Sequence, residues 1–371
     1  MIVGVPKEIK EDEYRVGMTP GGVKELVAHG HRVLVENGAG TGSAITDDEY
    51  ATVGAELVPS AGDVYEGSDL IIKVKEPQPS EIAMIRDGQV IFAFLHLAPN
   101  RQLTEGLMES GAVCIAYETV EGADGSLPLL APMSEIAGRM SAQVGAEYLQ
   151  KPKGGRGVLM GGVPGVLPAK AAILGGGVVG TNAAFVASGM GAEVTIVDID
   201  IDRLRYLEEI WTGRFRTLYS NRHNIEQIVS AADLVIGAAL VPGATAPRLV
   251  TRDMLPGMKE GAVIVDVAVD QGGCVETTHA TTHHDPVFVE EGVLHYGVAN
   301  IPGAVPSTST NALTNATMRY VVALADKGWE EAVRGLGELA GGVNVVRGVV
   351  TCRPVAQAHG FAYTPLEDVS R

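Results

Sequence analysis

Residues 170–198 read KAAILGGGVVGTNAAFVASGMGAEVTIVD and contain a complete strand–turn–helix–strand unit. An apolar run ends at a glycine-rich turn, and Gly175, Gly177 and Gly180 satisfy G-x-G-x-x-G at the start of a helix. Each glycine has a separate task. Gly175 makes the tight turn, Gly177 lets the backbone approach a pyrophosphate whose charge meets the helix N-terminus, and Gly180 allows close helix–strand packing. The second apolar run, EVTIVD, ends in Asp198, where a carboxylate accepts from both ribose hydroxyls and repels a 2′-phosphate. The unit therefore predicts a dinucleotide site that takes NAD in preference to NADP. Arg203, a few residues on, is either a solvated helix charge or a contact that admits NADP.

Outward from this unit, strand and helix keep alternating. Strands are expected at 193–197, 217–219, 234–236, 262–267 and 294–298 with a helix at 202–209, the doubly wound pattern. Upstream, β-branched runs at 2–5, 32–36, 70–74, 90–95 and 113–116 alternate with helical periodicity at 20–28 and 101–110, which argues for a second parallel sheet. Residues 131–150 read as an amphipathic helix with Ser134 as N-cap. A long helical pattern from 311 to about 327 and the segment after it are expected to return to the first domain. The predicted architecture is α/β. A Rossmann NAD-binding domain, 129–306, is inserted into a second Rossmann-like substrate domain made of 1–128 plus 307–371, and a chain of 371 residues suits two domains.

Twenty-eight Lys plus Arg against 45 Asp plus Glu give a net charge of −17, which disfavours nucleic acid and anionic membrane surfaces as partners. Three cysteines, 114, 274 and 352, lack metal or disulfide spacing, so a reducing, cytoplasmic setting is expected. The amino terminus turns charged after five residues and the apolar stretch 169–192 is broken by glycines; neither a signal peptide nor a membrane span is expected.

Four ionisable residues stand where a strand ends or a loop begins, the place where open α/β sheets put ligands. Arg15 offers a planar fork for a carboxylate, or pairs at the surface with Glu11 or Asp12. Lys75 follows an apolar run and either binds a carboxylate or carbonyl or marks the strand end. His96, in VIFAFLHLA, is suited to exchanging a proton at a substrate oxygen or nitrogen, or is a satisfied core residue. Asp270 ends IVDVAVDQGG, facing the nicotinamide half of a dinucleotide cleft or capping Gly272 or Gly273. His279, His283, His284 and Asp285 lie in a Thr-rich loop without metal-ligand spacing, and no metal is expected.

With these residues assembled, the sequence resembles the alanine dehydrogenase / transhydrogenase alpha-subunit family over essentially its whole length. The carrying segments are GVPKEIKEDEYRVGMTP at 4–20, IIKVKEP at 71–77, FLHLA at 94–98, AYETV at 116–120, LLAPMSEIAGRMSAQ at 129–143, GGVPGV at 161–166, VDVAVDQGGCVET at 265–277 and TSTNALTNAT at 308–317. The resemblance implies reversible NAD-dependent conversion of L-alanine to pyruvate and ammonium in a homo-hexamer. It implies substrate binding by Arg15 and Lys75, catalysis by His96 and Asp270, and cofactor contacts at Ser134, Val178, Val179, Asp198, Arg203, Ser220, Ala239, Leu240, Val267, Ala268, Val269, Val298, Ala299, Asn300 and Ile301. Some relatives hold magnesium through a Glu and a His at positions that are Ala323 and Lys327 here, so that metal is not expected. His279 stands where relatives present arginine. The rival expectation is the soluble NAD(H)-binding component of a proton-translocating transhydrogenase; a related amino-acid or opine-type dehydrogenase is a third.

Overall fold

The computed structural model describes residues 1–239 and 246–369. The chain forms two compact units, Met1–Met133 with Val305–Arg371, and Ser134–Ala304. The strands of the first are β1 Ile2–Val5, β2 Arg32–Glu36, β3 Glu56–Val58, β4 Leu70–Ile72, β5 Val90–Ala93 and β6 Val113–Ala116. The second holds β7 Lys170–Leu174, β8 Glu193–Asp198, β9 Arg216–Tyr219, β10 Leu234–Gly237, β11 Val263–Asp266, β12 Val287–Glu290 and β13 Val293–Tyr296. The chain then returns to the first unit with β14 Val343–Val346 and β15 Val349–Val350.

The first sheet has the order β15-β14-β6-β5-β4-β1-β2-β3 and the second β12-β13-β11-β10-β7-β8-β9. Within each, six strands run parallel in the doubly wound order, and the order reverses next to β1 in one and β7 in the other. Ligands of such sheets bind beyond the carboxyl ends of the strands at that reversal. The central strands are apolar on both faces because helices cover both, as in Ile71, Ile91, Ile173 and Ile236, all fully buried. Among the described residues no helix is long and apolar enough to cross a membrane.

Several elements differ from the sequence reading, each for a physical reason. β4 stops at Ile72 rather than 74 because the Val74 and Lys75 amides donate to the Glu8 carboxylate instead of to a strand. β5 stops at Ala93 rather than 95 because the Leu95 and His96 amides donate to Glu118. Ser134 is not an N-cap: the helix Ala131–Tyr148 has already begun, with Pro132 tolerated in its first turn. The helix expected from 311 starts at Pro306, whose fixed φ suits the first helical position. The antiparallel strand β12 is an element that the sequence reading does not contain. It pairs with β13 across Glu291 and Gly292, both at positive φ, and a two-residue turn of this kind needs that conformation.

Candidate active site

In the second unit, the glycines of the turn differ in what surrounds them. A Cβ on Gly180 would lie 1.8 Å from the Gly175 carbonyl oxygen, and one on Gly175 would lie 2.8 Å from Ala238 and Ala239 backbone atoms, at φ +111°. Both must be glycine for the fold itself. A Cβ on Gly177 meets no protein atom within 4 Å, and its φ of −69° suits any residue. Packing therefore does not explain Gly177, and open space at the N-terminus of the helix Val178–Gly189 is what a pyrophosphate requires. The residues present fit a dinucleotide.

Asp198, the last residue of β8, accepts from the Gly176 amide at 2.5 Å and the Asp200 amide at 2.9 Å, so it fastens the turn to the second strand. Arg203 is no solvated helix charge. Its Nε donates to the Gly176 carbonyl at 2.6 Å and its Nη2 to Thr181 Oγ1 at 3.0 Å. The other expected cofactor positions lie beyond strand ends. The Ser220 amide donates to the Asp198 carbonyl beyond β9, Ala239 follows β10, Val267–Val269 follow β11, and Val298–Ile301 follow β13, with Asn300 at φ +61°. Leu240 lies outside the described residues. Val178 and Val179 open the glycine-turn helix, and a Cβ on Gly138 would lie 2.2 Å from the Val179 carbonyl oxygen, so the helix bearing Ser134 packs closely there.

The two glycines give opposite expectations. Gly177→Ala should keep the wild-type melting temperature but bind NADH at least tenfold more weakly. Gly180→Ala should lower the melting temperature, because overpacking of this kind costs about 1–3 kcal/mol. Thermal unfolding and a fluorescence titration of NADH on both variants check this; equal NADH affinity in Gly177→Ala and wild type would remove the ligand from the account of Gly177.

In the first unit, Arg15, Lys75 and His96 come from beyond β1, β4 and β5, which are adjacent in the sheet. Arg15 is 2% exposed, not at the surface, and it is ion-paired with the buried Glu13. Glu13 accepts from Arg15 Nε at 2.6 Å, from Nη2 at 2.5 Å and from the Arg15 amide at 3.1 Å, while Nη1 donates to the weak acceptor Met133 Sδ at 3.1 Å. Burial opposes the Glu13 charge, but the guanidinium overrides it and holds the carboxyl below its usual range. Loss of water, then the Arg15 and Lys10 charges, push the Lys75 pKa down. Arg15 and Lys10 are each paired with a carboxylate, Glu13 and Glu76, while their charges together still act against a further cation at Lys75, an environment that favours an anionic ligand there.

His96 stands in the left-handed region at φ +48° with 46% of its side chain exposed. It is not a core histidine. A residue other than glycine pays roughly 1–2 kcal/mol for that conformation, and the Glu118 carboxylate compensates by accepting from the His96 amide at 2.6 Å and the Leu95 amide at 3.2 Å. His96 Nδ1 lies 3.8 Å from Glu76 Oε2, and Glu76 is ion-paired with Lys10. Partial desolvation of the ring, and then Lys75, lower the His96 pKa against the pull of Glu118 and Glu76.

Sequence reasoning missed what lies behind Lys75. Lys73 is fully buried and donates to Glu8 Oε2 at 3.0 Å and Glu81 Oε1 at 2.7 Å, both of them buried. Glu8 Oε1 in turn accepts from the Val74 amide at 2.6 Å. Burial alone would lower the Lys73 pKa, but the two carboxylates override it and raise it. The available signal was a second lysine inside the apolar run LIIKV, which can be buried only with carboxylate partners.

Asp270 belongs to the second unit, exposed in a 3-10 turn, Val269–Gln271. The amides of Gly272 and Gly273 donate to the Val269 and Ala268 carbonyls, so backbone groups close this turn. The buried Asp266 carboxylate holds it by accepting from Ala268 and Val275 amides, each at 3.1 Å. His279 stacks on Phe288 with ring centroids 3.9 Å apart.

Two doubly wound sheets, one with a dinucleotide turn and one with Arg15, Lys75 and His96 beyond adjacent strands, define a dinucleotide-dependent enzyme class. Family models match the N-terminal domain of alanine dehydrogenase/PNT over residues 4–137 and its C-terminal domain over 141–353. The chain is similar to an alanine dehydrogenase of Methanococcus maripaludis, 55% identical and covering 99% of both chains. A solved L-alanine dehydrogenase superposes with TM-score 0.94 at 52% identity, over 97% of this chain and 99% of that one. A transhydrogenase structure from Sinorhizobium meliloti gives 0.81 at 28% identity, over 95% and 99%. The chain belongs to the alanine dehydrogenase/PNT family.

Proposed function

We propose that the chain catalyses the reversible NAD-dependent oxidative deamination of L-alanine to pyruvate and ammonium. The observation that carries this is the meeting of Arg15, Lys75 and His96 at adjacent strand ends, in a chain 55% identical to an alanine dehydrogenase along its full length. NAD, when bound, accepts or delivers the hydride at the substrate carbon. Gly175, Gly177, Gly180 and Asp198 would hold it, with Asp198 favouring the free 2′-hydroxyl.

Arg15 and Lys75 bind the substrate carboxylate. Glu13 holds one edge of the guanidinium fork, and a carboxylate is a stronger acceptor for Nη1 than Met133 Sδ. An anion settling there also raises the Lys75 pKa back toward its ordinary value, so binding and charge support each other. His96 exchanges the proton at the reacting carbon's oxygen. With its pKa lowered, the ring is neutral near pH 7 and takes a proton from water adding to the iminium; in the amination direction the imidazolium returns it as water leaves the carbinolamine. Asp270 assists ammonia and stabilises the developing iminium cation. We further propose a cytoplasmic homo-hexamer, which mass measurement in solution tests.

Purified protein should oxidise NADH rapidly with pyruvate and only when ammonium is present, more slowly with glyoxylate or larger 2-oxo acids, and more slowly with NADPH. Tight NADH binding without turnover of any oxo acid would instead favour hydride transfer to a partner's nucleotide, as in a transhydrogenase component.

A further inference from the structure

Lys75, expected to bind the substrate, and His96, expected to exchange its proton, share one construction in the first unit. Each sits just past the last residue of its strand, and in each case a carboxylate from a neighbouring segment takes the amide of that residue and of the one before it: Glu8 for Val74 and Lys75, Glu118 for Leu95 and His96. Glu8 is itself held by Lys73, so its place is explained by the buried ion network. Glu118 has a different setting. It lies in the 3-10 turn Tyr117–Thr119 beyond β6, the strand paired with β5, and is half-buried where it fastens the His96 backbone.

We infer that Glu118 is a positioning residue for His96, holding the histidine in its left-handed conformation through two amides and bringing a negative charge to it. This rests on the reading of His96 as the proton-exchanging group. A left-handed histidine aims its ring where an extended one would not. Glu118 supplies acceptors on the inside of that turn, so geometry and charge come from one side chain. The charged groups facing His96 are Glu118 from beyond β6, Glu76 and Lys75 from beyond β4, and Lys10 from beyond β1. Among these Glu118 has the largest pull on the ring, and it favours the imidazolium.

Two substitutions separate the two contributions. Glu118→Gln keeps an oxygen that accepts from the amides and loses the charge, whereas Glu118→Ala loses both. The histidine titration is read by 13C NMR of histidine-labelled protein, with the His96 signal identified by its absence in His96→Asn; turnover of pyruvate with ammonium is read on the same samples. In Glu118→Gln the His96 pKa should fall by about one unit, shifting the corresponding limb of the kcat/KM profile to lower pH. In Glu118→Ala kcat should fall about a hundredfold, the scale of a small misplacement of a reacting group, with KM for NADH unchanged. A purely structural role predicts lower thermal stability with the His96 titration unmoved. An unmoved titration in Glu118→Gln, or equal kcat loss in the two variants, overturns the inference. The NMR arm does not need turnover. Wild-type protein that fails to reduce pyruvate thus refutes the proposed reaction, while the titration still decides Glu118.

Discussion

Replacing His96 by Ala is expected to lower ammonium-dependent pyruvate reduction by about 10²–10⁴-fold, the usual contribution of a positioned acid–base group, while NADH binds with nearly unchanged affinity. The second half follows from where the groups lie. His96 is beyond β5 of the first unit, whereas the glycine turn and Asp198 belong to the second. The side chain is substantially exposed, so its removal leaves no core cavity. Because the backbone at residue 96 is left-handed, alanine adds a conformational penalty of its own; His96→Asn is the better comparison, since asparagine tolerates that region. Asparagine can hydrogen-bond but cannot cycle a proton near neutrality. The two variants should therefore lose kcat alike while differing in stability. Steady-state rates, NADH fluorescence titration and thermal unfolding check this, and loss of NADH binding in parallel with kcat would make His96 a structural residue.

Lys73→Met is expected to destabilise the first unit by about 3–5 kcal/mol, the cost of leaving buried charges without their partner. Glu8 and Glu81 would then face each other with no cation between them. The loss depends on pH in a definite direction. Burial raises the Glu8 pKa in the folded protein even with Lys73 present, and without Lys73 it rises further. A carboxyl whose folded pKa exceeds its unfolded one binds its proton more tightly when folded, so its stabilising contribution is present at low pH and lost as pH rises through the folded value. The variant should accordingly be worst at pH 8 and recover toward pH 5. Thermal unfolding of variant and wild type at both pH values measures it. The triple replacement Glu8→Gln, Lys73→Met, Glu81→Gln removes every charge of the set and should regain part of the loss at pH 8. A single variant as stable as wild type at pH 8 would show that the network is not under this tension.

The strand–turn–helix–strand unit of the second sheet was legible in the sequence because its constraints are local. A turn that must be tight, a helix start that must be open and a carboxylate at the next strand end all fall within 170–198. The structure then divides the glycines more finely than the motif does, since Gly175 and Gly180 answer to protein atoms and Gly177 to none. The substrate half was legible only in part. Arg15, Lys75 and His96 stood out as polar residues interrupting apolar runs, but their partners did not. Glu13 was passed over for its neighbours Glu11 and Asp12, because side-chain direction in a loop has no period to read. Lys73 and Lys75 sit two apart in one run and look alike on paper. One is buried between two glutamates and the other is half-buried near the Arg15 and Lys10 charges.

By itself the sequence determined the alternation of strands and helices, the glycine turn with Asp198 at the next strand end and the candidate site residues, because hydrophobic periodicity and glycine requirements act over a few neighbouring positions. Only the tertiary structure decided where β4 and β5 end, which carboxylate fastens each reactive backbone, and which lysine is buried. Those outcomes depend on where a donor's amide or ammonium finds an acceptor from a distant segment: Glu8 reaches 66 positions along the chain to Val74 and Glu118 reaches back 22 to His96. Buried polar groups must be satisfied wherever the partner comes from, and the chain's own local order does not record that choice.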